Sequence, residues 1–249
     1  MKKLILFASA LCMSVCAMAQ SEFYVYKKDG SSVQFTIADV DSISFTVPPT
    51  GTANGHEWVD LGLPSGLKWA TCNVGATKPE EYGDYYAWGE TEPKTTYDWS
   101  TYKWSNGSYS TLTKYNTSSE YGTVDNKAVL ELADDAARAN WGGAWRMPTW
   151  AEWTELLENC TWTWTSDYNG TGVAGQIVTS NINDNSIFVP AAGSRYNDDL
   201  NYAGSNGYFW SSSLVTDIPG GARCGGISSN GGSRGSVGRL YGLSVRPVL

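Results

Sequence analysis

Histidine occurs once in the 249 residues, as His56. A single imidazole excludes a multi-histidine zinc centre and a Ser-His-Asp triad buried in a domain core. Basic charge is also scarce, with 17 Lys and Arg against 25 Asp and Glu and a formal charge of −8. So acidic a body does not hold a phosphate backbone, and no nucleic acid partner is expected. The one long apolar run, Leu4 to Cys16, is shorter than the ~20 residues that a spanning helix needs, so no membrane span is expected. Charged residues make up 17% and hydrophobic ones 41%, which excludes a disordered polyelectrolyte and a coiled coil. What the chain has in excess is rings with a polar handle: 12 Trp and 15 Tyr against 6 Phe.

Residues 1–19 read as a secretory signal peptide. Lys2 and Lys3 form the charged start, and Ala17-Met18-Ala19 gives an A-x-A cleavage site before Gln20. Leu11 and Val15 stand before Cys12 and Cys16 where a lipid-anchor motif wants a small residue, so simple export to the periplasm, cell surface or medium is expected. The mature chain keeps Cys72, Cys160 and Cys224 in a compartment that permits disulfides. The expected pair is Cys72–Cys160, because Cys224 lies in a stretch of replaceable composition. The alternative is three buried thiols acting as small apolar residues.

Phe23 to Tyr26 and Val33 to Thr36 flank Lys28-Asp29-Gly30-Ser31, a hairpin signal, and Ile43 to Phe45 offers a third strand. Residues 20–47 thus form a small β segment. Residues 48–56, rich in Pro, Gly and Thr, read as a linker, and the main domain runs over 57–249. Inside it, Thr149 and Glu152 form a T-x-x-E capping box. Trp150, Trp153, Leu156 and Leu157 follow at helical spacing. A shorter helix is expected at about Asp134 to Asn140, ended by Gly142-Gly143. The remainder reads as short strands at 161–165, 177–179, 187–189, 208–210 and 243–245, punctuated by Asn-Gly turns. Two helices with many short strands and long loops give an α+β expectation.

Several strings then carry a resemblance. Trp58 to Gly66, Trp69 to Ala76, Tyr82 to Glu90, Asn140 to Thr149, Trp210 to Ser213 and Ser244 to Val248 resemble, in order, the Fibrobacter-type major paralogous domain (FISUMP). Trp145 to Trp153 also resembles a motif of the formylglycine-generating-enzyme group. These resemblances imply a C-type-lectin-like fold, with two helices around a small twisted antiparallel sheet. Arg146 is expected to act as a structural pin, its guanidinium holding several loop carbonyls.

Catalytic groups are not evident. Formylglycine-generating enzymes need paired late cysteines, whereas Cys224 stands alone, and iron-binding relatives need several histidines. The carboxylate neighbours Glu80-Glu81, Asp134-Asp135 and Asp198-Asp199 point different ways on any regular element. Asn183-Asp184-Asn185 reads as a turn or as part of a calcium loop. No enzyme activity and no cofactor is expected.

One compositional signal stands apart. Lys, Glu, Gln, Met and Trp occur 40 times in residues 1–210 and not once in Ser211–Leu249. Adenine-directed mutagenesis of AAC or AAT codons cannot produce these five residues. Targets of diversity-generating retroelements often carry their variable segment at the end of such a domain. The resemblance therefore implies a hypervariable binding surface over Val215–Tyr241; the alternative is a plain Gly- and Ser-rich tail. The candidate contacts are the anchors Arg223, Arg234 and Arg239, with the polar Asp217, Ser228, Asn230, Ser233 and Ser236. The apolar Val215, Ile218, Ile227, Val237 and Tyr241 join them, together with Cys224. Four arginines against Asp217 make the tail locally positive, which favours an anionic ligand by steering. The leading expectation is an exported module binding a surface protein or glycan. The rivals are an enzyme of the formylglycine-generating group and an envelope-assembly protein. The rival location for the site is the aromatic loop around Trp99, Trp104 and Tyr109.

Overall fold

The computed structural model describes residues 22–26, 30–39 and 49–249. The signal-peptide residues and the strand expected at Ile43 to Phe45 lie outside the described residues. The chain divides into two units, Met1–Val47 and Pro48–Leu249. In the first, β1 (Glu22–Tyr26) pairs antiparallel with β2 (Ser32–Thr36), and Gly30 takes the positive φ of the turn.

The second unit starts earlier than its composition suggests. Residues 50–53 are not linker: β3 (Thr50–Ala53) pairs with β4 (His56–Asp60), which pairs with β5 (Lys68–Ala70). Asn54 and Gly55 both have positive φ, as the favoured two-residue hairpin turn requires. At Gly51 a Cβ would lie 2.3 Å from the Trp58 ring, so the absent side chain makes room for the indole.

Both expected helices form. The first, α1 (Ala136–Trp141), is capped by Asp135, whose side chain accepts from the Arg138 N–H, and stops at Gly142 with φ 65°. The second, α2 (Trp150–Asn159), carries the full capping box, with Thr149 and Glu152 each satisfying the other's backbone N–H. Trp153 and Leu156 are its buried residues.

The α+β expectation, with its one twisted sheet and two helices, is overturned. Among the described residues the protein is mostly β, 38% strand against 13% helix, and the strands fall into five small antiparallel sheets. The helices are only six and ten residues long. Most runs are too short to extend a shared ladder, so each hairpin or meander closes on itself. Besides the two sheets already given, β6 (Cys160–Thr165), β7 (Gly175–Ser180) and β8 (Ser186–Pro190) form a meander. The pair β9 (Ser194–Tyr196) and β10 (Asp199–Asn201) forms a hairpin. The longest sheet is β11 (Asn206–Leu214), β12 (Gly221–Ser228) and β13 (Gly231–Gly238), in that order. Residues 243–245 join no ladder; Leu243 bridges Tyr86 and Ser244 bridges Phe209 singly.

The longest sheet sits between two apolar clusters because its side chains alternate. Phe209 and Ile227 face Trp69, Trp153 and Leu156. Trp210 and Cys224 face Trp88, Tyr115 and Trp145. The irregular segments are tied down by guanidinium groups, though not chiefly by Arg146. That residue makes one carbonyl bond, to Met147 O, and forks onto Glu152 at 2.7 and 2.6 Å. The carbonyls are gathered by Arg246, fully buried, which donates to Ala70 O, Thr71 O and Asn73 Oδ1.

Cys72, Cys160 and Cys224 are all free thiols, so the Cys72–Cys160 pair is not formed. Cys160 is packed in the apolar cluster around Trp153, where a small apolar residue serves. Asn183-Asp184-Asn185 is a turn: the Asn183 and Asn185 amides both donate to Asp60 O, and Asp184 has φ 61°.

Candidate ligand-binding groove

Residues 97–121 form an aromatic loop anchored by buried and half-buried rings that spend their polar atoms on backbone. The Tyr97 hydroxyl donates to Tyr85 O at 2.6 Å, the Tyr102 hydroxyl to Trp88 O at 2.7 Å, and Trp104 Nε1 to Gly89 O at 2.8 Å. Upon this base stands a second row of rings that is not fully buried. Trp99 meets Tyr102 edge-on at 5.6 Å and Tyr109 at 6.5 Å, and Tyr109 meets Tyr121 at 6.2 Å. Tyr109 is 56% exposed.

The tail supplies the facing wall. After β11 the chain turns through residues 215–220, held by Ile218 N–H to Val215 O and Gly221 N–H to Ile218 O. Thr117 Oγ1 ties this turn to the aromatic loop through Thr216 O. Between the two walls lies a groove of about 460 Å³ lined by Trp99, Tyr109 and Tyr121 on one side. Val215, Ile218, Gly220, Gly221 and Ser236–Gly238 line the other. No ionisable acid or base other than tyrosine lines it, so it can bind by apolar contact and ring stacking rather than by charge.

The structure scatters the expected tail contacts. Val215, Ile218, Ser236 and Val237 reach the groove. Arg239 does not: it is fully buried and donates to Tyr102 Oη, Tyr115 O, Pro219 O and Lys114 O. It is a core pin, because those acceptors close around it from two distant segments. Cys224 and Ile227 are likewise core residues on opposite faces of the sheet. Ser228 and Asn230 make the β12–β13 turn, with Asn230 N–H bonding to Ser228 Oγ. Tyr241 stacks on Tyr196 at 4.9 Å. Asp217 and Ser233 are exposed.

Arg223 and Arg234 lie together over the Trp150 ring, 5.2 and 6.0 Å from its centroid. With Arg239 and Arg246 buried, the positive patch expected of four arginines reduces to these two. Tyr121 is not among the expected residues; a tyrosine in a Ser- and Thr-rich loop is the available signal. The groove itself joins the two locations that the composition set against each other.

A second cavity, about 280 Å³, holds His56, Glu57, Thr71 and Cys72. His56 stacks on Trp141 at 3.8 Å, and burial lowers its pKa. Among the described residues, no group of three or more His, Cys, Asp or Glu side chains could hold a metal ion, and no helix is long and apolar enough to cross a membrane. No protein-family model, curated protein or solved structure matches the chain.

Proposed function

We propose that the mature chain is an exported, non-enzymatic binding module that takes a protein or glycan ligand in the groove between the aromatic loop and the tail. The observation that carries this reading is the convergence of Trp99, Tyr109 and Tyr121 with Ile218 and Val237 on one open groove. Partly exposed rings held by neighbouring rings are preorganised for contact at little entropic cost.

The tail glycines support the same reading. At Gly225, Gly232 and Gly242 a Cβ would lie 2.8 Å or less from an aromatic or leucine side chain, so packing demands glycine there. At Gly220, Gly221, Gly235 and Gly238 a Cβ would meet only contacts of 3.4 Å or more. These permissive positions lie at the groove and along the exposed strand beside it, where a diversified surface would put them. The resemblance to FISUMP domains is kept in this proposal. A reverse transcriptase gene and an imperfect repeat of the 3′ end beside this gene would support diversification.

The test is binding of the full mature chain to a glycan array and to an immobilised peptide library, alongside Trp99→Ala and Tyr109→Ala. The reading expects a specific binder lost in both variants while their melting temperatures stay close to the parent. Binding that survives both substitutions, or no binding to either probe set, overturns it.

A further inference from the structure

The outer edge of β13 adjoins this groove and is open. The strand Gly231–Gly238 lies last in its sheet and pairs only with β12. Among the described residues, the one further backbone bond to this strand is Tyr241 N–H to Gly238 O, at its last residue, and the outer side before it makes none. Natural edge strands are blunted by proline, lysine, a bulge or a short length. This one is eight residues long, reads GGSRGSVG, and has no shift in its pairing register. Ser233, Gly235 and Ser236 are exposed and too small to keep another backbone away.

The surroundings match what an added strand presents. Successive side chains of a strand point to opposite faces. The C-terminal end of β13 borders two apolar cavities. One is the groove of Trp99 and Tyr109; the other, about 260 Å³, is lined by Tyr202, Tyr208 and Tyr241 and shares Val237 and Gly238. Further along, Arg234 lies opposite Gly225 and Ser236 opposite Arg223, so both arginines share a face with Ser236, which lines the groove. Neither has a carboxylate within ion-pair distance among the described residues.

Resting on the binding reading above, we infer that the ligand is an extended peptide that adds to β13 as a fourth strand. It places two neighbouring apolar side chains into the two cavities and an acidic side chain against Arg234 and Arg223. Main-chain bonds give affinity and the alternate pockets give specificity. Same-face positions on β13 are Arg234, Ser236 and Gly238, so the acidic residue stands two or four places from the apolar residue in the groove. A second copy of this chain is disfavoured as occupant. An antiparallel pairing centred on the strand would set Arg234 beside its own counterpart, and like charges oppose each other there.

The probe is a bead library of acetylated, amidated octapeptides screened against the full mature chain. The expected winners carry Asp or Glu two or four residues from a large apolar residue. N-methylating a winner at the alternate positions that face β13 should weaken binding about tenfold or more, one lost main-chain bond each, while methylation at the positions between changes little. Arg234→Glu should weaken the same peptides and favour basic ones. Winners indifferent to N-methylation, or no winners while a glycan binds and is lost in Trp99→Ala, overturn the peptide inference and leave the binding reading standing. Failure of peptides and glycans alike overturns both. A concentration-dependent dimer abolished by Ser236→Pro, which removes an N–H on the side away from β12, would assign the edge to a second copy and also overturn it.

Discussion

The guanidinium of Arg239 lies 5.0 Å from the centroid of the Trp88 ring, with both side chains fully buried. Its three nitrogens donate to Tyr102 Oη and to the carbonyls of Tyr115, Pro219 and Lys114. One planar fork thus joins the aromatic loop to the tail beneath the groove. Removing it would strand several buried acceptors, each costing about 1–3 kcal/mol. Arg239→Ala should therefore lower stability by more than ~3 kcal/mol in urea denaturation. Arg239→Lys should recover little, since an ammonium cannot reproduce the fork. A loss below ~1 kcal/mol would refute the pin.

Thr149→Ala removes the hydroxyl that caps α2 and should cost about 1 kcal/mol. Glu152 does more, because it closes the capping box and takes the Arg146 fork. Burial acts to raise its pKa, but the Arg146 bonds and the Thr149 backbone N–H outweigh burial, and the net shift is downward. A carboxyl lowered in the folded state contributes stability above its unfolded pKa, near 4.5, and loses it as pH falls through the folded value. The gap in melting temperature between the parent and Glu152→Gln should therefore be widest above pH 5 and narrow toward pH 3. A pH-independent gap would mean the fork contributes no charge-dependent stability.

Local chemistry was the legible part. The capping box of Thr149 and Glu152 can be read within four residues, and α2 starts where it puts the helix, while α1 starts at Ala136, two residues after the expected Asp134. The Asn54-Gly55 turn was equally local, yet the Pro- and Gly-rich composition around it spoke for a linker. The fold class was misread because helix number is visible in a sequence, whereas the pairing of short strands into five separate sheets is not. The burial of Arg239 is not legible locally, although Leu240 and Tyr241 follow it, because the acceptors that satisfy its guanidinium come from distant segments. Its partners Tyr102 and Tyr115 lie more than a hundred residues away. The groove is half legible for the same reason: each wall shows in the composition, and their meeting depends on contacts such as Thr117 to Thr216.

The three described cysteines should behave unequally toward a thiol reagent. Burial pushes the Cys160 thiol up to about 11 and the Cys224 thiol up to about 12, leaving little thiolate at neutral pH. Cys72 is only half-buried and borders the cavity of His56. Native protein should release about one equivalent quickly and the other two only after denaturation, and a reductant should leave the melting temperature unchanged. A reductant-sensitive melting point would reveal a disulfide that the structure lacks.

Glycine in the tail serves two purposes, and a pair of substitutions separates them. A Cβ at Gly225 would lie 2.8 Å from the Trp153 ring, and that indole is buried against Trp69 and Phe209. The indole cannot retreat without disturbing both, so Gly225→Ala should behave as overpacking and cost about 1–3 kcal/mol. A Cβ at Gly235 would meet only Cys224 Sγ at 3.8 Å, an ordinary contact, and no positive φ constrains the backbone there. Gly235→Ala restricts the unfolded chain without strain in the folded one, so it should be neutral or stabilising by about 0.4–1 kcal/mol. Urea midpoints of the two variants measure the difference directly. Equal and small effects would show that Trp153 does not demand glycine at 225, and the distinction between packed and permissive tail positions would fall.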